Sequence, residues 1–383
     1  MDEAFGTLGT IERVPGREIE AGHVRTADVM LVRSVTTVGP SLLEGSAVQF
    51  VGSATIGTDH VDRDYLASQG IAFAHAPASN ADSVADYVVT ALLWLAARRG
   101  APLEEKTVGI VGCGNIGGRL ARRLPALGAT VLQNDPPRAE AARAAGRAHD
   151  FRPLPAVLDA ADILTCHVPW TREGSHPTHH LIGEEELAAL RPGAWVVNTS
   201  RGPVVDNAAL RAARTDGPVG AAVLDVWEGE PRPDPALVSA ADVATPHIAG
   251  YAYDGKVRGT TMLYEALCEH LGVEPSWSPA AALRPATPGT LRCPGPDPRL
   301  PRADWLSHLA RQAYDLPADD ARMRGYLTQP PEDQGAYFRR LRATYPTRRE
   351  LQQQTVARSA VPARYRTAVT EGLTLRCPSL PAD

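Results

Sequence analysis

The chain has 383 residues, 44% of them hydrophobic and 22% charged, and a formal net charge of -5. This is the balance of an ordinary soluble globular protein of two or three domains at roughly 150 residues each, and its mild acidity speaks against a nucleic-acid or acidic-membrane partner. No signal-like leader or run of about 18 apolar residues predicts a membrane span. Five scattered cysteines, Cys113, Cys166, Cys268, Cys293 and Cys377, form no CxxC pair, which predicts a reducing cytoplasm rather than a disulfide framework or zinc site.

In chain order, residues 12–77 alternate short β-branched runs with polar turns. Residues 29–34, 49–52 and 71–74 read as buried parallel strands. An apolar helix follows over about 81–98. The pattern then restarts with a strand at 107–111, and further strands are expected at 130–132, 163–165, 194–197 and 220–224, with helical stretches between them. That repeating βα order predicts a doubly wound parallel sheet. A second long helix is expected over about 254–271. Pro and Gly become dense from 272 to 302, as in a linker, and two arginine-rich helices are expected near 303–314 and 331–345. The phrase Leu-Arg-Cys-Pro occurs at 291–294 and again at 375–378, which suggests two strands bracketing a small α/β module.

Gly112-Cys113-Gly114-Asn115-Ile116-Gly117 follows a strand and opens a helix. Gly112 permits a tight turn, Gly114 lets backbone approach a pyrophosphate, and Gly117 lets helix and strand pack. The helix N-terminus then offers free N–H groups to phosphate. Asp135, at the end of the next strand, would accept from the adenosine ribose and repel a 2′-phosphate, so NAD is the expected cofactor. Arg138 lies close by and weakens that preference. The alternative is a glycine-rich turn with no ligand.

Downstream stand three residues in distinctive phrases. Arg201 lies in Asn198-Thr199-Ser200-Arg201-Gly202-Pro203-Val204-Val205-Asp206. Glu230 closes Leu224-Asp225-Val226-Trp227-Glu228-Gly229-Glu230, and His247 stands in Thr245-Pro246-His247-Ile248-Ala249-Gly250-Tyr251. Oxidation of a 2-hydroxy acid needs these residue types. A guanidinium grips the carboxylate, an imidazole takes the hydroxyl proton as hydride leaves, and a carboxylate steadies that imidazole.

On these phrases the chain resembles the D-2-hydroxyacid dehydrogenase family. The resemblance covers nearly the whole chain and is weakest in the first ten residues and after about 351. Phrases such as Val32-Arg33-Ser34-Val35-Thr36 and Asp135-Pro136-Pro137-Arg138 point to members that act on a small phosphorylated 2-hydroxy acid. The resemblance implies two doubly wound α/β domains: a flavodoxin-like substrate domain (1–94 and 254–280) and a Rossmann NAD domain (95–253). It also implies a small C-terminal α/β dimerisation domain (281–383), and hence a homodimer. Arg201, Glu230 and His247 would be the catalytic set. Ser34, Thr55 and Tyr251 would contact substrate, and Asn115, Ile116, Asp135, Val168, Asp225 and Gly250 would contact NAD beside Gly112, Gly114 and Gly117. Two rival readings are another dehydrogenase of the family, for instance one for 3-phosphoglycerate, and a non-enzymatic NAD-sensing scaffold.

Other features receive plainer readings. Cys166 and His167 are adjacent on a strand, point to opposite faces and cannot act as nucleophile and base. His176, His179 and His180 sit in a polar loop, no carboxylate completes a metal set and the chemistry already uses a nicotinamide, so no metal is expected. Arg33, at a strand end, is a candidate for the substrate phosphate. Arg348 and Arg349 are further candidates, reaching the site across a dimer interface, with solvated surface charges as the alternative. Family members usually open on a strand of the type Ile-Leu-Val-Asp. Met1 falls inside the helix expected to follow it, which predicts a natural start about ten residues upstream.

Overall fold

The computed structural model describes residues 1–283, 289–295, 297 and 299–378. The chain forms two compact units, one from Met1–Asn80 with Ala252–Arg284, the other from Ala81–Tyr251 with Pro285–Asp383.

The first unit is built on β1 (Val29–Val32), β2 (Phe50–Ser53) and β3 (Ala72–His75), a parallel sheet in that order. β2 is central and buried along its whole length, which is why its sequence shows no polar alternation. One face packs Val24, Met30, Val32, Val38, Leu42, Leu43, Val51 and Leu66 together. The other gathers Phe50 with Leu263, Tyr264 and Leu267 of the helix Tyr253–Leu271, and with Phe5 of the short helix Asp2–Phe5. Gly272, in the left-handed region at φ 67°, ends the long helix where a side chain would be strained.

The second unit holds β4 (Thr107–Val111), β5 (Thr130–Asn134), β6 (Ile163–Cys166), β7 (Ala194–Asn198), β8 (Val219–Leu224) and β9 (Val243–Ala244). They form one parallel sheet in the order β5-β4-β6-β7-β8-β9. An isolated parallel bridge from Gln133 to Phe151 extends it beyond β5. The chain moves outward from β4 through β5 and then crosses back to β6. The C-terminal ends of β4 and β6 therefore mark the switch point, where ligands bind in such sheets.

The helix Ala81–Arg99 is apolar around most of its circumference and almost wholly buried. The sequence division at 94/95 cuts through it, but it belongs with the second unit. It packs against the helices Gly117–Ala126 and Arg302–Ala313, so a one-sided surface stripe is not what it carries.

The C-terminal segment groups with the sheet of the second unit. Its helices are Arg302–Ala313, Leu316–Arg324 and Pro331–Ala343, the middle one unforeseen. β10 (Thr290–Leu291) pairs with β11 (Thr355–Val356), and Thr355 also bridges Arg376. The two Leu-Arg-Cys-Pro phrases thus flank one short strand. Among the described residues no helix is long and apolar enough to cross a membrane.

Candidate active site

The glycine turn connects β4 to the helix Gly117–Ala126. Gly112 has φ 88°, and a Cβ there would meet the His167 carbonyl oxygen at 2.7 Å. A Cβ on Gly117 would lie 2.0 Å from the Gly112 oxygen, so only glycine lets the helix start this close to the strand. At Gly114 a Cβ would meet nothing within 4 Å, and this is the open side of the turn. A cavity of about 940 Å³ opens there, lined by Gly112, Gly114, Asp135, His167 and Val168 among others. Asp135 accepts from Cys113 N at 2.8 Å and from Arg138 N at 3.1 Å, one bond to each carboxylate oxygen, and this ties the end of β5 to the turn. Arg138 in turn donates to the Cys113 carbonyl. Asn115 and Ile116 complete the turn into the helix. A bare glycine face, a helix N-terminus and a carboxylate with spare lone pairs at the switch point fit a dinucleotide.

Farther along the same sheet, three loops converge. β7 runs into Thr199-Ser200-Arg201, and Asn198 shapes that bend by accepting from Ser200 and donating to the Arg201 carbonyl at 2.9 Å. A Cβ on Gly202 would fall 2.0 Å from the Trp227 carbonyl oxygen, so the turn carrying Arg201 lies flush against the loop that follows β8. In that loop Glu230 receives Trp227 N on Oε1 at 3.0 Å and faces His247 Nδ1 with Oε2 at 2.9 Å. Burial works to raise the Glu230 pKa. The charge and hydrogen bond of His247, the charge of Arg342 and the Trp227 N–H outweigh it, and the group is held below the ordinary carboxylate range.

His247 itself has φ 58°, uncommon for a residue with a Cβ and worth of order 1–3 kcal/mol of strain. The strain is held by an over-determined loop. His247 N donates to the Asp225 carbonyl at 2.7 Å. The buried Asp225 carboxylate accepts from Thr245 Oγ1, Ile248 N and Ala249 N at 2.6, 2.7 and 2.9 Å. Asp225, expected to contact NAD, has its carboxylate engaged in fixing this loop. Gly250 follows directly, and Tyr251 stands edge-on to Tyr345 at 5.8 Å.

Ser34, Arg33 and Thr55 belong to the other unit. Arg33 and Ser34 directly follow β1, and Thr55 follows β2. Thr55 Oγ1 lies 2.7 Å from both the Gly57 carbonyl and Ser53 Oγ, and His60 Nε2 lies 2.9 Å from the same Ser53 hydroxyl. These bonds fix the strand end and the turn after it.

Burial pushes the Cys166 thiol up to about 12 and the His167 ring down to about 3, so the pair is held as neutral thiol and neutral imidazole. The reading of the loop histidines needs correcting, because carboxylates distant in sequence do reach one of them. His180 Nε2 is 2.7 Å from Glu228 Oε1, and its Nδ1 is 3.5 Å from Asp206 Oδ2. The two carboxylates engage different ring nitrogens, and the ligand atoms of the three residues lie within 4.8 Å of one another. Arg348 and Arg349 also differ from expectation. Both are buried in their own unit. Arg348 donates to the Ile248 and Ala249 carbonyls and lies 4.0 Å over the Tyr314 ring. Arg342, which carries part of the resemblance in the phrase Leu341-Arg342 but was assigned no role, has its guanidinium 5.6 Å over the Tyr251 ring.

Residues 72–249 match the NAD binding domain of D-isomer specific 2-hydroxyacid dehydrogenases, and residues 299–369 match a domain of unknown function. The chain is 63% identical to the erythronate-4-phosphate dehydrogenase of Salinibacter ruber, over 98% of this chain and 96% of that one. The chain belongs to the erythronate-4-phosphate dehydrogenase family. The Azotobacter vinelandii member is 50% identical over 91% of this chain and 89% of its own length. In three dimensions the chain is similar to the D-lactate dehydrogenase of Aquifex aeolicus complexed with NAD and lactic acid. The TM-score is 0.56 at 26% identity, covering 67% of this chain and 86% of that one. As a member of this family the chain is an NAD-dependent 2-hydroxyacid dehydrogenase.

Proposed function

We propose that the chain oxidises 4-phospho-D-erythronate to 2-oxo-3-hydroxy-4-phosphobutanoate, a step of pyridoxal 5′-phosphate biosynthesis. The name shared by its curated relatives supports the substrate. The observation that carries the chemistry is the 2.9 Å contact between His247 Nδ1 and Glu230 Oε2, made at the C-terminal end of the sheet that bears the glycine turn.

NAD, when bound, accepts the hydride from C2. Every other task falls to side chains of the chain. Arg201 pairs with the substrate carboxylate and sets its orientation, a role suited to a planar guanidinium. With Nδ1 held by Glu230, the His247 ring presents Nε2 to the C2 hydroxyl and takes its proton as the C2–H bond breaks and the carbonyl forms. Glu230, ionised well into the acid range, stabilises the imidazolium that results. Asp225 keeps the loop in the strained conformation that aims the ring. Tyr251 has a substrate-contact role, Ser34, Arg33 and Thr55 keep the substrate roles that the sequence implies, and Asn115, Ile116, Asp135, Val168, Asp225 and Gly250 keep those toward NAD.

His247→Ala should lower turnover by about 10² to 10⁴-fold while NAD still binds. Near-normal turnover in that variant would remove His247 from the mechanism. The protein is further proposed to work as a homodimer in the cytoplasm. Its five free cysteines suit a reducing compartment, and a solution mass measurement tests the dimer.

A further inference from the structure

The substrate proposed above carries a carboxylate at one end and a phosphate at the other, about three negative charges in all. Arg201 is the cation for the carboxylate, and Arg33 is one candidate for the phosphate. A dianion takes more than one cation, which leaves a place for another where the substrate runs on past C2, beyond the proton acceptor His247.

The cations nearest the catalytic loop have different surroundings. Arg348 is buried, spends its Nη2 on two main-chain carbonyls and lies against the Tyr314 ring, its Nε and Nη1 shielded without an acceptor among the described residues and closed off from a ligand by that burial. Arg138 is committed to the glycine turn at the other end of the dinucleotide site. Arg342 differs from both. It lies in the last turn of the helix Pro331–Ala343, half-buried, with its guanidinium over the face of Tyr251, four residues past His247. Its field reaches the Glu230 carboxylate, the partner of His247. Its Nε is shielded from solvent with no acceptor among the described residues. A guanidinium held against a ring, with a dry donor left over, is an incomplete arrangement. The oxygens of a phosphate would complete it.

We propose that Arg342 is a phosphate-binding residue and sets the selectivity for a phosphorylated 2-hydroxy acid. The segment matching a domain of unknown function then has a task within its own chain: it lends the active site the cation that reads the far end of the substrate. Tyr251 fixes the guanidinium plane through the ring contact, so that the fork of N–H donors meets the phosphate edge-on. The proposal rests on the 2-hydroxyacid reading of the site.

The test compares the full-length wild type, Arg342→Gln and Arg342→Lys on 4-phospho-D-erythronate and on unphosphorylated D-erythronate. For the Gln variant the KM for the phosphorylated acid should rise by about 10 to 100-fold. The KM for the plain acid should change far less, and Lys should recover part of the loss. Equal changes for both acids, or none, would overturn the proposal. Wild-type turnover judges the underlying reading separately. If neither acid is turned over, binding of inorganic phosphate to the NAD-loaded protein decides. Weaker binding in Arg342→Gln supports the subsite, and unchanged binding overturns it.

Discussion

Arg348 donates through Nη2 to the carbonyl of Ala249 at 2.6 Å, two residues past His247. From the other side, the Asp225 carboxylate receives the N–H groups of Ile248 and Ala249. The loop is thus clamped through both its donors and its acceptors, one clamp from the end of β8 and the other from the C-terminal segment. That clamp lets a non-glycine residue keep a left-handed conformation at the reacting position.

Replacing Arg348 with Met should therefore cost both stability and turnover. The buried acids Asp86 and Asp319 would lose a neighbouring cation, and the loop would lose its carbonyl clamp. Loss of one partner from such a buried charge group costs about 3–5 kcal/mol. Thermal unfolding and kcat should fall together, with NAD affinity nearly kept. A lower Tm with full kcat per folded molecule would mean that the contact serves the fold alone.

Glu230 carries a pH signature. Its pKa in the folded chain lies below the ordinary 4.5, so the stability it lends is present above 4.5 and is lost as pH falls through the lowered value. The difference in unfolding free energy between wild type and Glu230→Gln should shrink across that acid window. In the same variant the imidazolium formed during turnover loses its ion partner. The acidic limb of the rate profile should then move to lower pH and the maximal rate should drop. A limb that stays in place would argue against the Glu230–His247 relay.

Gly114→Ala separates ligand from fold. The added methyl meets nothing within 4 Å, and Gly114 has no positive φ that would strain alanine. Stability should stay within about 0.5 kcal/mol of wild type. NAD affinity should drop by about tenfold or more, the equivalent of 1.4 kcal/mol, because the pyrophosphate must approach this backbone. Unchanged NAD binding would place the pyrophosphate elsewhere.

Much of the site was legible in the sequence for a physical reason. β4, β7 and β8 are largely apolar and buried runs, and such runs in a βα alternation deliver whatever follows them to one edge of a sheet. Arg201, Glu230 and His247 all follow strand ends, so their convergence could be read without coordinates. The missed features depend on contacts between segments far apart in sequence. Residues 345–350 have no period, and nothing local says that Arg348 turns inward to a loop a hundred positions earlier. His180, Asp206 and Glu228 come from three separate loops. The helix Leu316–Arg324 has no apolar stripe, so its sequence reads as a turn-rich segment.

The most direct measurement follows NADH formation and 2-oxo acid formation by the purified protein, with and without an added 2-oxo acid acceptor. The acids offered are 4-phospho-D-erythronate, 3-phospho-D-glycerate and D-erythronate. Turnover with the highest kcat/KM on 4-phospho-D-erythronate is the predicted result. A higher kcat/KM on 3-phospho-D-glycerate would reassign the substrate within the family. No turnover on any of the three, with NAD still bound, would contradict the account and favour a non-catalytic NAD-binding scaffold.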